Sequence, residues 1–195
     1  MAKRNPSNHW LDYTNFNKSI HSLGYFTDAD VALLQKETSY KKLRKGDVLL
    51  NKGEVCSAAF YLLSGSAYQF DFDDVDEKII ELHTENEWCL NTFSFINQQP
   101  SKTCLKVYDD AEVLVLSIHS IHALVAKSQV FLQLGKILDL AKDRTHFFDT
   151  SATPASKYLH LQQTRPRLIQ KFPQKMIASY LKIAPETLSR IRSNR

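Results

Sequence analysis

The sequence predicts an α+β chain: a small antiparallel β sandwich or barrel in the middle, a long helix after it, and a helix-turn-helix at the C-terminal end. Three observations predict this. From Tyr40 to Leu116, short β-rich runs alternate with turn residues. From Ser117 the apolar residues fall at helical spacing. Phe172 to Arg195 holds two short helices, each with one apolar face, joined by a three-residue turn.

Residues 1–20 are polar with scattered aromatics and read as an N-terminal arm or irregular helix. Thr27 is an N-cap, Asp28 and Asp30 are first-turn acids, and Val31, Leu33 and Leu34 make a short helix. The strands follow: Val48-Leu49-Leu50 before the Asn51-Lys52-Gly53 turn, Ala59 to Leu63 before Ser64-Gly65-Ser66, and an alternating run from Ala67 to Phe72. An acidic turn at Asp73-Asp74-Val75-Asp76 leads to Ile79–Leu82, and Val113–Leu116 closes the set. Residues 21–127 are therefore expected to form one β-rich domain. Ile118, Ile121, Leu124 and Val125 then lie at helical spacing. Over residues 128–149, Val130, Leu134, Ile137, Ala141 and Phe148 make a near-heptad stripe. Such a helix packs on its own β domain, on a twin in a dimer, or on both. Thr153 and Pro154 cap and open a further helix in a C-terminal domain spanning 150–195.

Composition bounds the function. Apolar content of 43% and charged content of 24% are those of a soluble globular chain. No apolar run approaches the roughly 20 residues that span a bilayer, and Met1–Trp10 lacks a signal-peptide core. A cytoplasmic protein that does not enter the membrane is expected. Cys56, Cys89 and Cys104 are scattered and read as core or surface thiols. His119 and His122 lack partners at ligand spacing and read as a solvated helix face, so no metal site is expected. The net charge of +4 is asymmetric. From Ser151 onward nine cations face one acid, Glu186, so that the tail is +8 and residues 1–150 carry −4. A basic module on an acidic body suits a polyanion, although a solvated basic surface would look the same.

In the tail, Pro173 starts one helix whose Ile177, Tyr180 and Leu181 share a face. Lys182-Ile183-Ala184 is the turn, with Ile183 as its apolar plug. Pro185 opens the second helix, where Leu188 and Ile191 face inward. The small Ala178 lets the two helices cross closely. This leaves Glu186 and Arg190 one turn apart on the outer side. A guanidinium grips guanine O6 and N7 in bidentate fashion, and a carboxylate accepts from cytosine N4, so these two are the candidate base contacts. Lys175, Thr187, Ser189 and Arg192 suit phosphates. The partner is then double-stranded DNA, and no catalytic residue is implied.

With these residues identified, the chain resembles the Crp/Fnr superfamily of transcription regulators over about residues 20–195. Ile177 to Arg190 is similar to the family pattern in which a Glu-Thr pair opens the recognition helix and an Arg follows one turn later. The family's base-reading Glu and Arg fall on Glu186 and Arg190. A third contact, often Arg, falls on Pro185, and the usual turn Gly is Lys182, which would have to adopt the left-handed region. Lys45 to Glu54 resembles the opening strands of the cyclic-nucleotide-binding β-roll, a jelly roll, and Phe60 to Ala67 its glycine turn. The resemblance implies a dimerisation helix at about Gln129–Phe147, a homodimer on a pseudo-palindromic operator, and action with RNA polymerase. The chain stops at Arg195 and resembles a short version that lacks the β-hairpin wing.

The effector pocket departs from the family. Nucleotide-binding members carry a Gly-Glu pair, a short helix, then Arg-Ser or Arg-Thr. Here the segments read Trp88 to Phe95 and Pro100 to Cys104, with Asn91 in the place of Glu and Lys102 as the one candidate for the Arg. Lysine is a point charge and makes no bidentate fork. The pocket, with Leu90, Asn91, Lys102 and Thr103, is expected not to take cyclic AMP in the usual way. It holds a cyclic-nucleotide-like or other small effector, or none. The cysteine cluster of the oxygen-sensing branch is absent from the sequence. A rival reading is a ligand-sensing module that acts through protein contacts. A cupin-like enzyme would need clustered metal ligands, and His83 is the single histidine of the strand region.

Overall fold

The computed structural model describes residues 11–73, 76–139 and 152–193. The first element of the described residues is α1 (Thr14–Leu23), a regular helix where an arm or irregular helix was expected. Phe16, Ile20 and Leu23, at i, i+4 and i+7, are buried on one face. The Phe16 ring meets Tyr61 edge-on at 5.2 Å, and the Trp88 indole donates to Ser19 Oγ at 3.2 Å. Polar residues between the three anchors hide this stripe in a composition reading. The next helix, α2 (Asp28–Glu37), starts where expected. The Asp30 N–H donates to Thr27 Oγ1 and the Thr27 N–H to Asp30 Oδ2, a reciprocal cap.

The sheet is antiparallel throughout. It contains β1 (Ser39–Leu43), β2 (Val48–Leu50), β3 (Ala58–Asp73), β4 (Asp76–Thr84), β5 (Trp88–Cys89) and β6 (Cys104–Ser117). The order is β1-β6-β3-β4, with β2 on β6 and β5 on β3. The two runs expected on either side of Ser64-Gly65-Ser66 are one 16-residue strand, β3, whose register to β6 shifts at this point. Gly65 is a bulge rather than a turn. Its φ is +83°, and a Cβ there would meet the Asp110 carbonyl and lie 2.7 Å from Ala111 Cα.

After β6, α4 (Ile118–Lys127) is capped by Ser117, and α3 (Thr92–Asn97) lies between β5 and β6. The segment expected to begin a long helix is a 3-10 helix, Gln129–Gly135, followed by helical residues 136–139. Phe131, Leu134 and Ile137 are buried and three apart, the spacing that three residues per turn aligns on one side. They pack into the chain's own core, with Phe131 6.1 Å from Phe26. Ala141 and Phe148 of the expected stripe lie outside the described residues.

The C-terminal module comprises α5 (Pro154–Thr164), α6 (Pro166–Lys171), α7 (Gln174–Tyr180) and α8 (Pro185–Ser193). It rests against the outer face of the β3–β4 hairpin. Tyr68, Phe70, Ile79 and Leu82 share a second core with Leu161, Phe172, Ile177 and Leu188. At the sheet edge, the Ile79 N–H donates to Ser179 Oγ at 2.9 Å, so the module covers an otherwise open β4.

Arg165 ties the module to the roll. Pro166 bars the preceding residue from the helical region, and Arg165 takes φ −140° between α5 and α6. Its guanidinium turns toward β4. Nη1 donates to Glu81 Oε1 at 2.8 Å and to the Tyr180 hydroxyl at 2.9 Å; Nη2 donates to the Leu82 carbonyl at 2.6 Å and to Glu87 Oε2 at 2.8 Å. Only 14% of the Arg165 side chain and 7% of that of Glu81 are exposed. Burial opposes the charge, and the Glu87 and Glu81 carboxylates more than offset it, so Arg165 holds its proton more firmly than a free guanidinium. Burial, then Glu81, pushes the Tyr180 hydroxyl above its ordinary range.

Three substitutions have distinct expected outcomes in urea unfolding. Gly65→Ala forces a left-handed alanine into backbone and is expected to cost about 2–4 kcal/mol. Arg165→Ala strands buried carboxylates and is expected to cost about 3–5 kcal/mol. Arg167→Ala, which loses only an exposed pair with Glu85, is expected to cost under about 1 kcal/mol. Equal effects of the two arginine changes would contradict the role given to Arg165.

Candidate nucleic-acid interface and effector cavity

Local backbone chemistry builds the helix-turn-helix. Pro173 has no N–H to place and caps α7 in an extended conformation. At the far end the Lys182 N–H donates to the Ser179 carbonyl and the Ile183 N–H to the Ala178 carbonyl, both at 3.0 Å. Lys182 takes φ +57°, the left-handed conformation expected at this turn position. Ala178 is fully buried at the crossing, and the half-buried Ile183 packs on the module core as the plug.

Leu188 is buried and Ile191 partly buried on the inner face of α8. Glu186, Ser189, Arg190 and Arg192 are exposed, and Thr187 is half-buried. The two candidate base readers thus stand one turn apart on the solvent side, within reach of one groove. Lys175, at the start of α7, is exposed but paired with Asp76 at 2.9 Å.

Several other cations of the basic tail have partners within the protein. Lys157 is buried and donates to the Leu181 carbonyl at 3.3 Å, closing the end of α7. Arg167 pairs with Glu85 at 3.0 Å and Lys171 with Asp109 at 2.9 Å. Burial pushes the Asp109 carboxyl up, but Lys171 and the Ser66 hydroxyl outweigh it and hold the pKa below the usual value. The acidic body is therefore itself a polyanionic partner of the tail, which the charge count alone did not reveal.

The four expected pocket residues, Leu90, Asn91, Lys102 and Thr103, line one cavity of about 320 Å³ in the roll. Asn91 is committed to structure. Its Oδ1 accepts from the Ser94 N–H and caps α3, and its Nδ2 donates to Ser101 Oγ at 2.9 Å and Thr103 Oγ1 at 2.8 Å. Gln69 Nε2 adds a second donor to Thr103 Oγ1 at 2.7 Å. Lys102 stands exposed at the rim. Sequence reasoning missed Gln69, Glu81 and His83, which also line the cavity. The available signal was a carboxylate inside the apolar Ile79–Leu82 run. Gln69 and Glu81 are cross-strand partners in the β3–β4 ladder.

A second cavity, about 530 Å³, is almost wholly apolar and lies between α3, α4 and the 3-10 helix, with Leu90, Phe95, Val125 and Leu134 among its walls. Among the described residues, no three His, Cys, Asp or Glu side chains are grouped to hold a metal ion, and no helix is long and apolar enough to cross a membrane.

Residues 40–128 match the cyclic nucleotide-binding domain family. No curated protein matches the chain in sequence. Among solved structures, FixK2 from Bradyrhizobium japonicum is similar at a TM-score of 0.64 and 14% identity, over 80% of this chain and 83% of that one. DNR from Pseudomonas aeruginosa is similar at 0.54 and 18% identity, over 95% and 88%. A protein of Eubacterium rectale assigned to the Crp/Fnr family of transcriptional regulators is similar at 0.55 and 13% identity, over 87% and 83%. At these identities the likeness is one of fold. The chain therefore carries a cyclic nucleotide-binding-type β-roll followed by a helix-turn-helix module, the fold of the Crp/Fnr regulators.

Proposed function

We propose that this protein is a sequence-specific DNA-binding transcription regulator that acts as a cytoplasmic homodimer on a pseudo-palindromic site, in concert with RNA polymerase. It works by binding and catalyses no reaction. The observation that carries this reading is the outer face of α8, where Glu186, Ser189, Arg190 and Arg192 are exposed together while Leu188 anchors the helix from within. Glu186 and Arg190 read base edges, and Lys175, Thr187, Ser189 and Arg192 hold phosphates. Support for pairing of two copies comes from the apolar cavity beside the 3-10 helix and from Leu132 next to it, which is 64% exposed. The roll cavity at Leu90, Asn91, Lys102 and Thr103 is the effector site. It does not take cyclic AMP in the usual way, because Asn91 is spent on capping α3 and Lys102 offers one point charge in place of an arginine fork.

The test is selection of bound genomic fragments by the full chain at moderate salt. Specific fragments are expected to be enriched, with affinity falling steeply as salt rises. Arg190→Ala is expected to relax base preference at one position per half-site, at about 1–3 kcal/mol. Arg192→Ala is expected to weaken all sequences alike and to lower the salt slope by about 1 per protomer. No enrichment above background would end this reading and leave the rival, action through protein contacts. In a thermal melt, micromolar cyclic AMP is expected to leave the midpoint unchanged; an upward shift would show a working nucleotide site.

A further inference from the structure

We infer that the roll cavity takes a small planar ligand presenting N–H donors on a cationic face, of amidine, guanidine or amino-heterocycle type, and that this ligand draws the Glu81 carboxylate away from Arg165 and loosens the C-terminal module. The inference rests on reading the cavity as the effector site and the module as the DNA-binding part. Glu81 belongs to both. It lines the cavity, and its Oε1 receives the Arg165 guanidinium at 2.8 Å. Its other oxygen, Oε2, is buried and has no hydrogen-bond partner among the described residues. A buried carboxylate oxygen without a donor is costly, and a ligand N–H relieves that cost.

Charge points the same way. One guanidinium stands between two carboxylates, Glu81 and Glu87, so the cluster carries an excess negative charge that favours a cation nearby. The rest of the cavity does not call for a phosphate. Asn91, Ser101 and Thr103 bond to one another, and Lys102 is at the rim. Ile80, Trp88, Leu90 and Phe93 supply apolar walls suited to a flat ring.

The consequence for the module follows because one carboxylate serves both: a donor drawn to Oε2 pulls the group, and with it Oε1, away from Arg165. The docked module holds Lys175 against Asp76 and keeps the acidic start of β4 beside Met176 and Pro185, next to the opening of α8. Phosphates approaching that end would meet like charge. A ligand that binds better when Arg165 has let go shifts the population toward a released module, and DNA binding to the released module raises ligand affinity by the same factor.

The experiment titrates benzamidine into the full-length Trp10→Phe chain and follows the fluorescence of Trp88, the remaining tryptophan of two. Benzoate, of the same shape and opposite charge, is the control. Benzamidine is expected to saturate and benzoate to leave the signal flat. Glu81→Gln should weaken benzamidine by about tenfold or more, the loss of one charge-assisted bond. Arg165→Lys should strengthen it by about threefold, because the competitor for Glu81 is weaker; a merely damaged fold would not gain affinity. Saturating benzamidine should also tighten binding of the selected DNA to the wild-type chain and not to Glu81→Gln. Equal binding of benzoate, indifference to Glu81→Gln, weaker binding in Arg165→Lys, or no saturation at all would each overturn the inference. The titration is read without DNA, so its failure leaves the DNA-binding reading standing, and failure of fragment enrichment leaves the titration readable.

Discussion

The arrangement of this molecule hangs on one buried guanidinium. Arg165 reaches Glu81, Glu87, the Leu82 carbonyl and the Tyr180 hydroxyl at once, which joins β4, the turn into β5 and α7 around a single planar group. Four N–H donors on two terminal nitrogens of a rigid fork meet four acceptors here, and a lysine could not satisfy so many from one side. The apolar contacts of the module with the hairpin tolerate sliding, because hydrophobic burial has no direction. The Arg165 cluster has a direction and fixes the register between module and roll. A buried ion cluster of this kind is weak evidence for added stability; its clearer role is to select one geometry.

The β3–β4 hairpin is covered on both faces as a result. Ala67 belongs to the core of the roll and Gln69 lines its cavity, whereas Tyr68 and Phe70 face the helical module. Tyr68 stacks on Phe70 at 5.0 Å, and Tyr108 carries the aromatic contact on to Phe172 at 4.9 Å. The hairpin is thus a shared wall. A polar event on its inner face at Gln69 or Glu81 lies one side-chain layer from the module, with no need for a long chain of intermediates.

The alternation Ala67 to Phe72 was legible as a strand, but a period of two does not say which face meets which partner, and the aromatic face meets the module rather than the roll interior. The helix-turn-helix was legible in more detail because its signals are local: a proline at each helix start, a small residue at the crossing, a plug in the turn and a backbone that closes on itself within a few residues. The left-handed Lys182 followed instead from the resemblance, which places the family's turn glycine at that position. The four residues named from the sequence line one cavity, yet the partners that define their chemistry were not legible, since Gln69 and Glu81 reach the cavity through strand pairing across the hairpin. Arg165 was counted among the cations of the tail, and nothing within ten residues of it announces that its partners are Glu81 and Glu87. The near-heptad stripe failed over its first turn for a reason of packing. Phe131, Leu134 and Ile137 satisfy a three-residue repeat against the roll, and that repeat selects a 3-10 turn.

The charge asymmetry gains a second meaning from these contacts. Arg165, Arg167, Lys171 and Lys175 each pair with a carboxylate of the body, and Lys157 closes a helix end. Lys182, Arg190 and Arg192 remain on the exposed side of the module. The body and a nucleic acid would therefore compete for part of one cationic set. The intramolecular partner has the advantage of effective concentration, since it is always tethered. Its outer pairs are solvated and individually weak, so a phosphate backbone approaching along the exposed cations can exchange with them one at a time. The Arg165 pairing with Glu81 and Glu87 differs from them because it is buried. Exchange there cannot proceed through water, and it requires the module to move as a body. That difference makes the outer pairs adjustable by salt and the buried one adjustable only by a group that reaches Glu81 from the other side of the wall.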